Sequence, residues 1–219
     1  MNLWVKICGN TSLEDARLAV EAGADAVGFV FAASPRRVTV DQAAQIVPHL
    51  PAKVEKIGVL VDAGFEDVEA AVEACGLTGV QLHSEGAADV PAKLRARFGH
   101  ELRILRVVHF GAAAEEQMRR AVADGHLDGI LVDSRTATAM GGTGIAFDWE
   151  KARATIFNGK SSIKMVAAGG LNPENVAQAI ATLRPWGVDV VSGVEATPGR
   201  KDPAKVREFV ARARAAVRP

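Results

Sequence analysis

The sequence predicts an α/β fold in which eight strand–helix pairs close into one (β/α)8 barrel. Short apolar runs rich in β-branched residues alternate with amphipathic stretches rich in Ala, Glu and Arg along the whole chain. Eight pairs in 219 residues leave about 27 residues for each pair, which suits the TIM barrel architecture. Because no Pro/Ser-rich linker or shift in composition divides the chain, we expect residues 1–219 to form a single domain.

The predicted strands are short apolar runs, several of which look buried on both faces, as parallel strands beneath helices must be. In chain order they are residues 3–8, 26–31, 54–61, 79–83, 102–109, 129–133, 163–168 and 188–192. The helical patterns that follow them are residues 13–22, 40–47, 65–75, 87–98, 113–123, 149–156, 173–183 and 203–217. Strict alternation also fits an open doubly wound sheet, but the first turn lacks the GxGxxG dinucleotide fingerprint, which favours the barrel.

Residues at the predicted helix ends support these boundaries. Thr11 with Glu14 is a predicted capping box for the first helix. Asn172 and Asp202 each place a capping oxygen before a proline at the first helical position. Gly76 follows the third helix, where a left-handed backbone conformation favours glycine.

Composition excludes several classes of protein. The 26 Lys and Arg residues balance the 26 Asp and Glu residues, so no basic field is available for nucleic acid or an anionic membrane. No apolar run approaches the roughly 18 residues that span a bilayer, and no signal-peptide pattern precedes the first strand, so we expect a cytoplasmic protein. Two cysteines, and histidines without metal-ligand spacing, predict neither a structural metal nor a disulfide framework. We expect a monomer.

In barrels of this kind the reacting groups lie at the C-terminal ends of the strands. Cys8 ends the first predicted strand and Asp133 ends the sixth, so both are candidates for chemistry. The alternatives are an inert core thiol and a carboxylate that caps the following turn. His83 ends the fourth strand as either a site residue or a hydrogen-bonded structural one.

Glycines after the last two strands predict an anion site. Gly169 and Gly170 follow strand seven, and Ser192 and Gly193 follow strand eight, where backbone N–H groups can approach a phosphate closely. Tight turns are the alternative explanation. Gly142, in the glycine-rich segment after strand six, is a candidate for a further donor or a hinge.

At these same residues the chain resembles the phosphoribosylanthranilate isomerase family. The matching segments cover seven of the eight predicted units in order. They are KICG at 6–9, GADAVGFVF at 23–31, SPR at 34–36, VQLH at 80–83, LVDS at 131–134, GGTG at 141–144, FDW at 147–149, GGLNPENV at 169–176 and VDVVSGVE at 188–195.

The resemblance implies an Amadori rearrangement of a phosphorylated aminoaldose, without a cofactor, in tryptophan biosynthesis. It makes Cys8 the general base and Asp133 the general acid, and it assigns the anthranilate carboxylate to Arg36, with Arg37 as the adjacent alternative. The further substrate-binding residues that it implies are His83, Gly142, Gly169, Gly170, Asp189, Ser192 and Gly193.

The base requires that the pKa of the Cys8 thiol be lowered from its ordinary value near 8.5. Lys6 lies two residues from Cys8, so the period of a strand places both side chains on one face. We therefore predict that the Lys6 cation favours the Cys8 thiolate.

Rival functions stay open on the sequence. One is another phosphate-binding barrel enzyme, such as a pentose-phosphate epimerase or an indoleglycerol-phosphate synthase. A second is a dual-substrate phosphoribosyl sugar isomerase, although such enzymes typically carry an aspartate where Cys8 stands. A third is a non-catalytic phosphate-binding barrel subunit.

Overall fold

A computed structural model describes residues 3–83, 89–133, 148–159 and 161–217. Eight parallel strands close into a barrel in chain order, with β1 hydrogen-bonded to β8, and the predicted barrel is confirmed. The barrel strands are β1 (Trp4–Ile7), β2 (Ala26–Val30), β3 (Glu55–Val61), β4 (Gly79–His83), β5 (Arg103–His109), β6 (Gly129–Asp133), β7 (Lys164–Ala167) and β8 (Gly187–Val190).

Helices follow the strands and cover the outside of the barrel. Those in the described residues are α1 (Leu13–Glu21), α2 (Val40–Ile46), α3 (Phe65–Cys75), α4 (Val90–Phe98), α5 (Ala114–Ala123), α6 (Trp149–Thr155), α7 (Val176–Leu183) and α8 (Pro203–Ala215). A 3-10 turn over Ser192–Val194 leads into a two-stranded antiparallel hairpin, β9 (Glu195–Thr197) and β10 (Arg200–Lys201). The sequence analysis did not predict this hairpin, because strands of three and two residues carry no readable alternation.

The predicted capping box at the start of the first helix is wrong. Ser12, not Thr11, caps α1, and its hydroxyl accepts the N–H of Asp15 at 3.1 Å. The Thr11 hydroxyl instead donates to the Gly199 carbonyl at 2.6 Å, which ties the first loop to the hairpin. Glu14 lies at the surface, where it pairs with Arg200 of the same hairpin.

The seventh helix begins later than predicted. Asn172 and Asn175 exchange side-chain to backbone hydrogen bonds of 2.9 and 3.0 Å, which close a turn before α7 starts at Val176. The predictions for the start of the eighth helix and for the glycine after the third are confirmed. Asp202 accepts two backbone N–H groups at the start of α8, and Gly76 is left-handed after α3 with φ of 67°.

The barrel interior contains one apolar and one polar group of side chains. An apolar interior cluster, against which Trp186 packs, comprises Trp4, Ala26, Ile57, Leu105, Val107, Leu131, Val166 and Ala168. A polar interior group comprises Lys6, Gln81 and Asp189, from β1, β4 and β8, all buried. Because side chains alternate along a strand, Trp4 and Lys6 face the same interior at successive levels, and Cys8 follows at the rim.

Candidate active site

Cys8 follows β1 directly at the C-terminal rim, and its side chain is buried. Its N–H donates to the Val190 carbonyl of β8 at 2.9 Å. On the other side lies Gly28 of β2, where a Cβ atom would stand 2.4 Å from the Cys8 Sγ and 3.0 Å from the Lys6 Cε. Gly28 therefore provides the space that the thiol and the lysine occupy, and a glycine inside a strand was the available sequence signal for it.

Lys6 connects three strands through the barrel centre. Its ammonium donates to the Asp189 carboxylate at 2.9 Å and to the Gln81 amide oxygen at 2.8 Å. The Gln81 amide nitrogen lies 3.1 Å from the His83 Nε2, which extends the polar line to the rim of β4. The structure thus places the predicted residues Asp189 and His83 in one hydrogen-bonded line with Lys6. Asp189 contacts the lysine directly, and His83 is connected to it through Gln81.

The sequence analysis predicted a lowered pKa for the Cys8 thiol, and this prediction is wrong. Burial raises the pKa of the Cys8 thiol above its ordinary value, while the nearby Lys6 charge lowers it. The Asp189 carboxylate also raises the pKa of the thiol, because its negative charge disfavours a nearby thiolate. The influence of Lys6 therefore has the predicted sign, but the cost of desolvating a thiolate outweighs it.

Asp133 ends β6 and is buried at the same rim of the barrel as Cys8. Its strand neighbour in register is His109 of β5, and its carbonyl accepts the Phe110 N–H at 2.8 Å. The His109 ring lies 5.8 Å from the His83 ring, centroid to centroid. An acid and two imidazoles are thus grouped on the β4–β6 side of the rim.

Arg36, in the loop after β2, turns inward and is held by Glu195. Its Nε donates to Oε1 at 2.8 Å and its Nη2 donates to Oε2 at 2.7 Å. Its aliphatic stem covers Gly9, where a Cβ atom would lie 3.0 Å from the Arg36 Cδ. The neighbouring Arg37 is exposed, so Arg36 is the arginine that this loop directs toward the rim.

The loops after β7 and β8 pack on each other through glycine. Gly169 and Gly170 have φ of 81° and 66°, a left-handed region that side chains disfavour. A Cβ atom at Gly193 would lie 1.9 Å from the Leu171 carbonyl oxygen, so no side chain fits there. Ser192 and Gly193 open the 3-10 turn, where the first N–H groups of a helical turn lack intrahelical partners. The two loops that the sequence analysis singled out for an anion therefore lie against each other, without room for a side chain at Gly193.

These features agree with one group of known proteins. The sequence matches the N-(5'-phosphoribosyl)anthranilate (PRA) isomerase family over residues 5–212. The chain belongs to this family. The predicted family, barrel fold and isomerase activity are confirmed.

Individual PRA isomerases are similar to the chain over nearly its whole length. The enzyme of Geobacter sp. (strain M21) is 44% identical over 211 residues, 96% of this chain and 97% of its own. The structure of the Thermotoga maritima PRA isomerase is 37% identical with a TM-score of 0.82, covering 97% of this chain and 99% of that one. A PRA isomerase solved with reduced 1-(o-carboxyphenylamino)-1-deoxyribulose 5-phosphate is 36% identical with a TM-score of 0.80, covering the same shares.

The sequence analysis missed two buried charged residues that lie beside Cys8 and Arg36, namely Glu195 and Lys201. Lys201 is fully buried, and its ammonium donates to the Cys8 carbonyl at 2.6 Å and to Glu195 at 3.3 Å. Burial lowers the pKa of Lys201, which the Glu195 carboxylate partly offsets. Burial acts to raise the pKa of Glu195, but hydrogen bonds from Arg36 and the charge of Lys201 bring it below its ordinary value. Glu195 ends the matching segment at 188–195, which was the available signal for it, whereas no local pattern marks Lys201.

Three further observations limit the site. The predicted residue Gly142 lies outside the described residues. Where the chain is described, no group of three or more His, Cys, Asp or Glu side chains could hold a metal ion. None of the described helices is long and apolar enough to cross a membrane.

Proposed function

We propose that the chain isomerises N-(5-phosphoribosyl)anthranilate to 1-(2-carboxyphenylamino)-1-deoxyribulose 5-phosphate, with Cys8 as general base and Asp133 as general acid. This Amadori rearrangement is a step of tryptophan biosynthesis. The remaining assignments are the carboxylate of the substrate to Arg36 and its phosphate to backbone groups of Gly169, Gly170, Ser192 and Gly193.

The order of these groups around the rim is the observation that carries the proposal. Asp133 ends β6, the glycine loops follow β7 and β8, Cys8 follows β1, and Arg36 follows β2. A sugar phosphate anchored after β7 and β8 has the acid on one side and the base on the other. Its aromatic ring then extends past Cys8 toward Arg36, so one substrate engages all four neighbouring groups in turn.

The reaction needs only proton transfers. Asp133 donates a proton to the furanose ring oxygen as the bond from that oxygen to C1 breaks, which leaves an iminium between C1 and the anthranilate nitrogen. The Cys8 thiolate removes the C2 proton, and the electrons neutralise the iminium to give an enolamine. The enolamine gains a proton at C1 and loses one from the C2 hydroxyl, which yields the aminoketose.

The raised pKa of the Cys8 thiol is compatible with this role. A thiolate formed from a thiol of higher pKa is the stronger base, although a smaller fraction is ionised at neutral pH. The buried Lys6 ammonium stabilises that thiolate, and Asp189 keeps Lys6 protonated by raising its pKa against the effect of burial. His83 is proposed as a further substrate contact at the β4 end of the polar line.

We test the function by turnover of freshly prepared phosphoribosylanthranilate, followed through loss of anthranilate-type fluorescence. Wild type should turn over rapidly, and Cys8→Ser and Asp133→Asn should lose activity while remaining folded. Cys75→Ser is the matched control, because Cys75 is also buried but ends α3, away from the rim. Absence of turnover in folded wild type would refute the proposal and favour a binding role.

The same assay separates the dual-substrate alternative. The aminoaldose of histidine biosynthesis, given at equal concentration, should not be converted, because Cys8 occupies the position where such enzymes use aspartate. Rapid conversion of both substrates would assign the chain to that second class.

We also propose that the chain acts as one domain and as a monomer in the cytoplasm, and that it binds a small phosphorylated substrate but neither nucleic acid nor a membrane. Light scattering in the assay buffer tests the monomer. A mass twice that of the 23.0 kDa chain would overturn it.

A further inference from the structure

Three buried charges lie together beside Cys8, and the proposed chemistry does not use two of them. Arg36, Glu195 and Lys201 have side-chain exposures of 11%, 4% and 0%. Burying an ion costs several kcal/mol unless it is paired and hydrogen-bonded. A cluster of three at the rim of an active site therefore points to a use.

The contact between Arg36 and Glu195 leaves one edge of the guanidinium available. Glu195 accepts from Nε and Nη2, which is the side edge of the planar group. The end edge, formed by Nη1 with the second hydrogen of Nη2, has no partner in residues 3–83, 89–133, 148–159 and 161–217. That edge has the geometry that binds a second carboxylate with two parallel hydrogen bonds.

The charges of the cluster also match one carboxylate. Arg36 and Lys201 contribute two positive charges and Glu195 one negative charge, so the three carry a net charge of plus one. Asp15 accepts the backbone N–H of Lys201 at 3.2 Å, and it lies in the first turn of α1, where the helix dipole stabilises a negative charge. A single substrate carboxylate at the free edge of Arg36 therefore completes the charge balance.

Lys201 connects the cluster to the catalytic strands. Its ammonium donates to the Cys8 carbonyl at 2.6 Å and to the Val191 carbonyl at 3.3 Å, at the ends of β1 and β8. Glu195 begins the same hairpin that Lys201 ends. The direction of the Arg36 guanidinium is thus set relative to the backbone of the base.

We propose that Glu195, held by Lys201, is a positioning residue that aims the free edge of Arg36, and that the pair determines specificity for substrates whose aryl ring carries a carboxylate. The inference rests on the proposed function, in which Arg36 binds the anthranilate carboxylate. Glu195 itself does not touch the substrate.

The test compares two substrates, phosphoribosylanthranilate and N-(5-phosphoribosyl)aniline, which lacks only the carboxylate. Glu195→Gln should lower the preference for the first by roughly tenfold to a hundredfold, as expected for a misplaced binding group. The loss should appear in KM, because the carboxylate is bound equally in the ground state and the transition state. Activity of Glu195→Gln on the aniline substrate should change little. Lys201→Met should lower the preference in the same direction, with an added loss on both substrates because its charge also lowers the pKa of the Cys8 thiol.

Arg200→Gln is the matched control. Arg200 precedes Lys201 in β10 but is exposed and pairs only loosely with Glu14, at 3.4 Å. This variant should retain the wild-type preference. If Glu195→Gln does not fold, Glu195→Asp keeps the charge but shortens its reach, and it should also lower the preference through KM.

The possible failures are distinguishable. If wild type shows no preference, or if Arg36→Met leaves the preference intact, the Arg36 assignment fails and the inference with it. If Arg36→Met abolishes the preference but Glu195→Gln or its aspartate substitute retains it, only the inference fails. Equal losses on both substrates would reduce Glu195 to a structural role and would also overturn it.

Discussion

Trp4 and Lys6 lie two residues apart on β1 and face the same barrel interior, yet opposite kinds of contact hold them. Trp4 belongs to the apolar interior cluster and stacks on Trp186 with ring centroids 5.2 Å apart. Lys6 belongs to the polar interior group, and every contact that holds its ammonium is charged or hydrogen-bonded. One strand therefore passes from packing to electrostatics within two residues.

The difference teaches which part of the interior stabilises the barrel and which part supports its chemistry. Apolar burial stabilises a fold in proportion to the area removed from water. A buried ion pair gains little net stability, because the desolvation cost approaches the Coulombic gain. The polar group is thus poorly explained by stability, whereas its position below Cys8 suits control of proton transfer.

The largest expected effect separates catalysis from stability at the rim. Cys8→Ala should lower kcat by roughly a hundredfold to ten-thousandfold, the usual range for loss of a general base. The free energy of unfolding should change by only about 1 kcal/mol, because the substitution removes a single heavy atom from the side chain. Urea unfolding and steady-state assays measure both. Cys75→Ala makes the same chemical change in the core and should leave kcat unaltered; a matching loss there would contradict the comparison.

The next effect should appear in stability alone. Trp4→Ala removes a large buried side chain from the apolar cluster, which should cost about 3–5 kcal/mol of unfolding free energy. At a temperature where the variant stays folded, kcat/KM should equal that of wild type. Trp186→Leu, which keeps an apolar side chain against Trp4, should cost less. A large fall in kcat/KM for folded Trp4→Ala would show that the apolar cluster also controls the site.

A smaller stability effect tests the polar group. Lys6→Met leaves Asp189 buried without its partner and should cost about 3 kcal/mol, at the low end for a broken buried pair because Met replaces the aliphatic stem. Removing both charges in Lys6→Met with Asp189→Leu should recover most of that loss. Urea unfolding of the four proteins in this cycle gives the coupling. Recovery in stability without recovery in activity would support a functional reason for the pair; additive losses would refute it.

The sequence could predict those structural features that depend only on residues close to each other along the chain. Strand β6 is an apolar run that ends in Asp133, and Asp202 caps α8, because both features arise within a few residues. The roles of Glu195 and Lys201 could not be predicted, because their partners Arg36 and Cys8 lie 159 and 193 residues away. Thr11 was misassigned for the same reason, since its hydroxyl bonds Gly199, 188 residues along the chain.

The Cys8 thiol shows a different limit of sequence reasoning. The spacing of Lys6 and Cys8 predicted that the lysine charge lowers the pKa of the thiol, and the direction of that effect is correct. The pKa of the thiol also depends on its burial and on the charges of Asp189 and Lys201, which come from the far end of the chain. A pKa is a sum over the surroundings, so a single neighbour does not determine it.

The smallest effect is a shift in pH dependence. Because burial raises the pKa of the Cys8 thiol, kcat/KM should keep rising with pH beyond the ordinary thiol range, and Lys6→Met should move this rise to still higher pH. Since the pKa is higher in the folded than in the unfolded chain, Cys8 favours folding below the unfolded value. That contribution is lost as pH rises through the folded value. Wild type should therefore lose stability on the alkaline side, and Cys8→Ser should lack this component. Coincident pH profiles of kcat/KM in wild type and Lys6→Met would show that Lys6 does not influence the base and serves only its structural contacts with Asp189 and Gln81.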